Sequence, residues 1–307
     1  MEIKKIPNNH MPSAISHTPV LLREVLAFLN PRPGQIFVDG TYGAGGHSLA
    51  IWELIKPKGK LIGIDLDPSV KSEIKEKNFV LVRNNYKNLR KILNDAGISQ
   101  AHGILLDLGL SSIQLGRNIG GFGFQNEGPL DLRFDPSSGG RTAAEILKTA
   151  SEEELVKIFK EYGEEPLARL VAKKIIASRR EGKPVETAEM LVQLVSKIYA
   201  RKFRNRSRIN PATRVFQALR VAVNDEFGNL RTVLPQAVEA LAPGGRLAVI
   251  SFHSGEDRIV KHFFKSEAKK ENPRLKILTK KPITPGEDEI SENPRSRSAK
   301  MRVVEKI

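Results

Sequence analysis

The sequence predicts an α/β fold of Rossmann-like type, a mostly parallel seven-stranded sheet carrying an inserted all-helical domain. Three observations predict it. Short apolar runs alternate with helical patterns through the first half of the 307-residue chain, as the βαβ units of a parallel sheet require. A glycine-rich turn within Val38-Asp39-Gly40-Thr41-Tyr42-Gly43-Ala44-Gly45-Gly46-His47-Ser48 directly follows the first such run and precedes a helix beginning near Ser48. The stretch from Leu108 to Gly245 then greatly exceeds the ~12 residues that one helical crossover needs, so it holds a further domain.

Taken in order, strands are expected at Ile36–Asp39, Leu61–Asp65, Phe79–Arg83 and Gly103–Asp107, each an apolar run followed by Gly, Asn or Pro signals. Inside the insertion, Ser151 and Glu154 have the spacing of a capping box, and Leu155, Ile158 and Phe159 share the helical face that follows. Leu191, Leu194, Val195 and Ile198 repeat that pattern after Thr187. The insertion is expected to end near Asn210-Pro211, whose proline suits the first turn of a helix presenting Phe216, Leu219, Val223, Phe227 and Leu230 to a core. A fifth strand, Arg246–Phe252, follows the helix-ending turn Ala242-Pro243-Gly244-Gly245. A helix around Asp257–Glu267 and β-type runs at Leu275–Thr279 and Met301–Val304 complete the chain, the last two as a hairpin that closes the sheet with an antiparallel edge strand. The domains read from this pattern are residues 1–115 with 213–307, and 116–212.

Composition narrows the chemistry. Cysteine is absent, which removes disulfides, thiolate metal sites and thiol nucleophiles, including the Cys that normally adds to a pyrimidine ring before methylation at carbon 5. No metal site is expected. Fifty Lys plus Arg against 35 Asp plus Glu give a net charge of +15, which favours a polyanionic partner because each neutralised phosphate releases a counterion. No apolar run approaches the ~18–20 residues of a membrane span, and Met1–Ser16 lacks an apolar signal core, so the reading is a cytoplasmic protein with a short N-terminal tail.

The glycine turn and Asp65 form one constellation. Glycine lets the backbone approach a ligand, and Asp65 ends the second strand at roughly the twenty-residue distance where a carboxylate accepts hydrogen bonds from both ribose hydroxyls of a nucleoside cofactor. NAD and S-adenosylmethionine both use such a sheet. The dinucleotide pattern counted from Gly43 ends on Ser48, where Gly or Ala is usual, which argues against a pyrophosphate. Asp39, Asp65, Asp107 and His253 all fall at carboxyl ends of strands, where ligands bind, and acidic groups suit a cofactor carrying a sulfonium and an ammonium.

At this point the chain resembles the RsmH family, also called MraW, bacterial class I methyltransferases that modify the exocyclic 4-amino group of a specific cytidine in 16S small-subunit ribosomal RNA. The resemblance is carried by His17-Thr18-Pro19-Val20-Leu21-Leu22, by Asp39 to Ser48, and by Leu106-Asp107-Leu108-Gly109-Leu110-Ser111-Ser112. It continues in Gly128-Pro129-Leu130-Asp131-Leu132-Arg133, Asn210-Pro211-Ala212-Thr213-Arg214, Ile250-Ser251-Phe252-His253-Ser254 and Asn293-Pro294-Arg295-Ser296-Arg297-Ser298-Ala299-Lys300. By position it implies S-adenosyl-L-methionine as cofactor, with Gly45, Gly46 and His47 at the turn, Asp65 on the ribose, Tyr86 near the adenine, and Asp107 with Gln114. Two positions depart from the family: Gly255 where Leu is usual, and Tyr86 where Phe is common. The implied partner is small-subunit ribosomal RNA, free or within the 30S subunit, with a homodimer one option for the oligomeric state.

An aromatic amine is a poor nucleophile, and an acceptor near its protons would help it. Asp107 is read first as a cofactor ligand and second as that acceptor. Asn224 and His253 are the other catalytic candidates, though a lone His or Asn beside a loop is more often structural, and neither is assigned as catalytic. Phe122, Phe124 and the glycine-rich stretch Gly120 to Gly123 form either a lid over a flipped base or a loop packing its own aromatics. Lys197 to Arg208 contains Lys197, Arg201, Lys202, Arg204, Arg206 and Arg208 with no acid, interleaved with Tyr199 and Phe203, and reads as RNA-contacting. Arg295, Arg297, Lys300 and Arg302 form a weaker second cluster. The rival readings are an NAD-dependent oxidoreductase and a catalytically inert RNA-binding factor.

Overall fold

A computed structural model describes residues 19–72, 74–109, 128–203 and 210–307. The chain divides into two compact units, Met1–Ser112 with Phe227–Ile307, and Ile113–Glu226.

The first unit is built on a seven-stranded sheet of order β3-β2-β1-β4-β5-β7-β6. Its strands are β1 (Ile36–Asp39), β2 (Lys60–Asp65), β3 (Phe79–Arg83), β4 (Ala101–Asp107), β5 (Leu241–Ser251), β6 (Leu275–Ile277) and β7 (Lys300–Lys306). Strands β1 to β5 pair in parallel, while β7 runs antiparallel to both β5 and β6. The predicted closing hairpin is present, with its second strand inserted between β5 and the edge strand β6.

Because strand side chains alternate, neighbouring residues feed opposite faces of the sheet. Val38, Ile62, Ile64, Ile104 and Leu106 pack with Leu89, Leu93, Leu234 and Val260. Phe37, Leu61, Leu105, Ala248 and Ile250 pack with Val25, Ile51, Trp52 and Ile55. The helices supplying these layers are α1 (Leu22–Leu29), α2 (Gly46–Ile55), α3 (Leu89–Asp95), α9 (Glu226–Ala240) and α10 (Ser254–Ala268). Strand β5 begins five residues earlier than the apolar run suggested: the register steps from Ala101↔Leu241 to Gly103↔Arg246, so the Pro-Gly-Gly turn is an irregularity inside the strand.

The second unit is helical: α4 (Ala143–Thr149), α5 (Glu152–Glu161), α6 (Ala168–Arg180), α7 (Ala188–Lys202) and α8 (Thr213–Asn224). Ser151 caps α5 by accepting from Glu154 N at 3.1 Å, but Glu154 turns its carboxylate to Arg141 at 2.9 Å. The complete reciprocal box lies instead at Thr142 and Glu145 on α4.

The second seam between the units differs from the expected break after residue 212. Helix α8 ends at Asp225, held at φ 49, a left-handed conformation that Asp tolerates better than most residues. The single helix expected there is therefore two, and its apolar residues serve two cores. Val215, Phe216, Ala218 and Leu219 join Leu155, Phe159, Val171 and Leu191 in the helical unit, whereas Leu230 joins the sheet. The first seam falls outside the described residues.

Candidate functional site

Parallel pairing of β2, β1 and β4 brings three acidic strand ends to one edge of the sheet. Asp39 is buried and spent on structure: Oδ1 accepts from Thr41 N at 3.1 Å and Oδ2 from Ser48 Oγ at 2.7 Å, which ties the glycine turn to the first turn of α2. Burial pushes its carboxyl up, against the pull of those hydrogen bonds.

Asp65 is half-buried. Its Oδ2 accepts from Gly43 N at 2.7 Å and its Oδ1 from Asp67 N at 2.9 Å, so the carboxylate pins the turn. Each oxygen retains a second lone pair for a ligand hydroxyl. Burial raises this carboxyl too, partly offset by the two N–H donors. At the turn itself Gly45 has φ 79, and a Cβ there would stand 2.5 Å from the Tyr42 hydroxyl, so only glycine fits. Gly45 also leaves α2 without a side-chain cap at the end that faces the strand edge.

Asp107 ends β4. Its N–H donates to Thr41 Oγ1 at 2.6 Å, Oδ2 lies 3.5 Å from His47 Nδ1, and Oδ1 is buried with no hydrogen-bond partner among the described residues. Burial, then the charges of Asp39 and Glu256, hold this carboxyl well above the usual range. The partner ring explains where a proton sits. His47 Nε2 is 2.9 Å from the Val20 carbonyl, which can only accept, so Nε2 carries the hydrogen. Burial lowers the His47 pKa to about 4, leaving a neutral ring whose Nδ1 lone pair faces Asp107. Two acceptors would oppose each other unless Asp107 is the carboxylic acid. His47 is thus committed to Val20 and Asp107 through its ring, and what it can offer a ligand is its main chain.

Tyr86 lies in a short turn, Tyr86–Asn88, directly after β3, half-buried against the sheet core. Gln114 lies outside the described residues, as do Phe122, Phe124, Arg204, Arg206 and Arg208.

The catalytic candidates divide. Asn224 is a clamp: its Oδ1 accepts from Phe134 N at 2.9 Å, and its Nδ2 donates to Leu132 O at 2.7 Å and to Arg220 O at 2.9 Å. With both amide hydrogens and the oxygen held by backbone partners, Asn224 fixes the turn in which Leu132 takes φ 62, a structural role. His253 is largely buried at the start of α10, its Nε2 3.2 Å from Glu256 Oε1 and its ring 5.4 Å from that of Phe227. Gly255 explains itself in the same place. A Cβ there would overlap Phe227 Cζ and come within 3.3 Å of His253 Nδ1, so this packing leaves no room for leucine.

In the basic clusters, Lys197, Arg201 and Lys202 are exposed on α7. Arg295 and Arg297 are exposed as well, but Arg302 is buried in a bidentate pair with Asp257 at 2.6 and 3.1 Å and leaves that cluster. Sequence reasoning missed Thr41, Ser48 and Glu256. The first two sit beside the glycines it singled out, and Glu256 stands three residues after His253, a spacing that signals a helix start.

The donor set fits a cationic nucleoside. Asp65 can accept from sugar hydroxyls, and the orphaned Asp107 Oδ1 is costly to bury unless a donor or positive charge comes to it. A family model described as the MraW methylase family matches residues 14–307. The chain is 45% identical to Ribosomal RNA small subunit methyltransferase H of Thermomicrobium roseum, covering 96% of this chain and 95% of that protein. It is 46% identical to the protein of the same name from Heliobacterium mobile, covering 95% and 99%. Among solved structures, an rRNA methylase from Streptococcus thermophilus aligns over 96% of this chain and 99% of its own, at 11% identity and a TM-score of 0.42.

Proposed function

Because the chain belongs to the MraW methylase family, whose members are S-adenosylmethionine-dependent methyltransferases, we propose that it methylates the exocyclic N4 amine of one cytidine in 16S small-subunit ribosomal RNA. The observation that carries this reading is the strand edge itself: acidic, glycine-lined, and with an Asp107 Oδ1 that has no hydrogen-bond partner among the described residues, in a chain of net charge +15. The likeness to proteins named as small-subunit ribosomal RNA methyltransferases supports the substrate.

S-adenosyl-L-methionine would supply the methyl group on an activated sulfonium. Gly45, Gly46 and the His47 main chain would hold its amino-acid end, Asp65 its ribose, Tyr86 its adenine and Asp107 its reacting end, and the family resemblance adds Gln114 to this set. Positioning does most of the work, because in-line displacement needs alignment more than acid or base strength. The Thr41 and His47 contacts fix Asp107, and its carbonyl-like Oδ1 would accept a hydrogen bond from the amine as that nitrogen becomes tetrahedral, with no proton taken up by the acid. That role rests on Asp107. Neither Asn224 nor His253 is assigned chemistry.

The helical unit Ile113–Glu226 recognises the RNA, with Lys197, Arg201 and Lys202, continued by Arg204, Arg206 and Arg208, on its phosphates. The setting is cytoplasmic, on free RNA or the 30S subunit. Mass spectrometry of ribosomal RNA from cells lacking the protein tests the reading: loss of one methylated cytidine is expected, and an unchanged set of modified nucleosides would overturn it.

A further inference from the structure

The helical unit carries an aromatic pair whose inner ring packs on the core and whose outer ring is exposed. Tyr199 and Phe203 lie one turn apart at the end of α7, with ring centroids 5.5 Å apart and planes tilted by 38°. The inner ring is anchored. Tyr199 donates its hydroxyl to Glu165 Oε1 at 2.6 Å, and Glu165, only 2% exposed, also accepts from Leu167 N at 2.8 Å. The outer ring is held by its backbone, Phe203 N donating to Tyr199 O at 2.8 Å, yet its side chain is 49% exposed.

Cations precede this ring in the sequence. Lys197, Arg201 and Lys202 are exposed on the same helix, and no acid occurs between Lys197 and Phe203. The charge of Arg214, at the start of α8, reaches the Tyr199 hydroxyl. The helix dipole accounts for Arg201 and Lys202 at a C-terminus, but it gives no reason for an exposed phenyl ring beside them. A second copy of the chain is a poor occupant, since a net charge of +15 on each would set cation against cation. A polyanion with flat apolar faces suits both features.

We propose that Phe203, backed by Tyr199, is a stacking platform for an unpaired base of the RNA, with Lys197, Arg201 and Lys202 on the adjacent phosphates. It rests on the reading of RNA as substrate and adds a non-electrostatic contact to it. Base stacking on an aromatic side chain tolerates any sequence and distinguishes single-stranded from duplex RNA.

The test measures binding of a single-stranded oligoadenylate and of its duplex with oligouridylate to the full chain. Phe203→Leu is expected to weaken single-strand binding about tenfold while leaving the salt slope and duplex binding unchanged. Phe203→Trp is expected to keep the affinity and to lose fluorescence on binding, against the single native tryptophan, Trp52, which is 2% exposed. Wild-type affinity in Phe203→Leu, or no quenching in Phe203→Trp, overturns the platform. So does a loss of dimer in Phe203→Leu with RNA binding intact. Methyl transfer to small-subunit RNA by the wild-type protein, measured alongside, separates the two ideas: if it persists while the binding arms fail, only the platform falls.

Discussion

At the scale of single residues, the carboxyl groups at the strand ends look alike in sequence and are physically distinct. Asp39 accepts from three protein donors, Asp65 from two, and Asp107 keeps one oxygen with no partner among the described residues. A raised folded-state pKa means that the stability from Asp107 is complete below the unfolded value and is lost as pH rises through the folded one. At neutral pH its ionisation therefore works against folding, and Asp107→Asn is predicted to raise the melting temperature by a few degrees while removing methyl transfer. A lower melting temperature would show that the acid form is not what the fold prefers. For Asp65→Ala the expectation is loss of cofactor binding and methyl transfer with RNA affinity kept, read by calorimetry with S-adenosylhomocysteine and by filter binding. Retained activity would remove Asp65 from the ribose. His47 has the opposite sign. Its folded pKa of about 4 lies below the ordinary histidine value of 6.5, so the unfolded chain takes up a proton the fold refuses. Stability is predicted to fall as pH drops from 6.5 towards 4, by about 3 kcal/mol in all, and His47→Gln should flatten that limb of a pH-dependent denaturation series.

Among elements, the segment from Asp131 to Phe134 and helix α8 depend on one amide. Leu132 is buried at φ 62, a conformation costing on the order of 1 kcal/mol or more for a branched residue, and it persists because Asn224 bonds both sides of it. The same turn presents Asp131 and Arg133 as a bidentate pair at 2.6 and 2.8 Å. Asn224→Ala is predicted to destabilise the helical unit by about 2–3 kcal/mol, the cost of two partly buried groups left without partners plus a released strained turn. Urea denaturation followed by a probe in that unit checks it, and a change under 0.5 kcal/mol would mean the turn holds itself. Loss of activity in this variant would report on the turn, since both amide hydrogens and the amide oxygen are already held by backbone partners.

For the whole molecule, charge is the property that matters most. Substituting Lys197, Arg201 and Lys202 together by Gln is predicted to flatten the dependence of log affinity on log salt by about two units for single-stranded RNA, at roughly 0.7 per phosphate contact. Titrations between low and physiological salt measure that slope, and an unchanged slope would put the RNA on another surface. Arg302 sets a useful control. It belongs to the basic cluster in sequence, but Asp257 engages it in a buried pair, so its replacement should cost stability and leave the slope alone.

Strand positions, the glycine turn and the existence of an inserted helical unit were determined by the sequence alone, because alternation, helical period and turn chemistry are local properties written in consecutive residues. The strand ends followed, since parallel strands place their last residues at one edge. Only the tertiary structure decided the rest. Which acid keeps an oxygen with no partner among the described residues depends on where Thr41, Ser48 and His47 fold, the first and last against Asp107 and Ser48 against Asp39. Whether Asn224 does chemistry depends on Leu132, more than ninety positions away. The seam at Glu226 depends on Asp225 breaking a helix whose apolar pattern runs straight through it. Each is a contact between distant residues, and no local period records the partner.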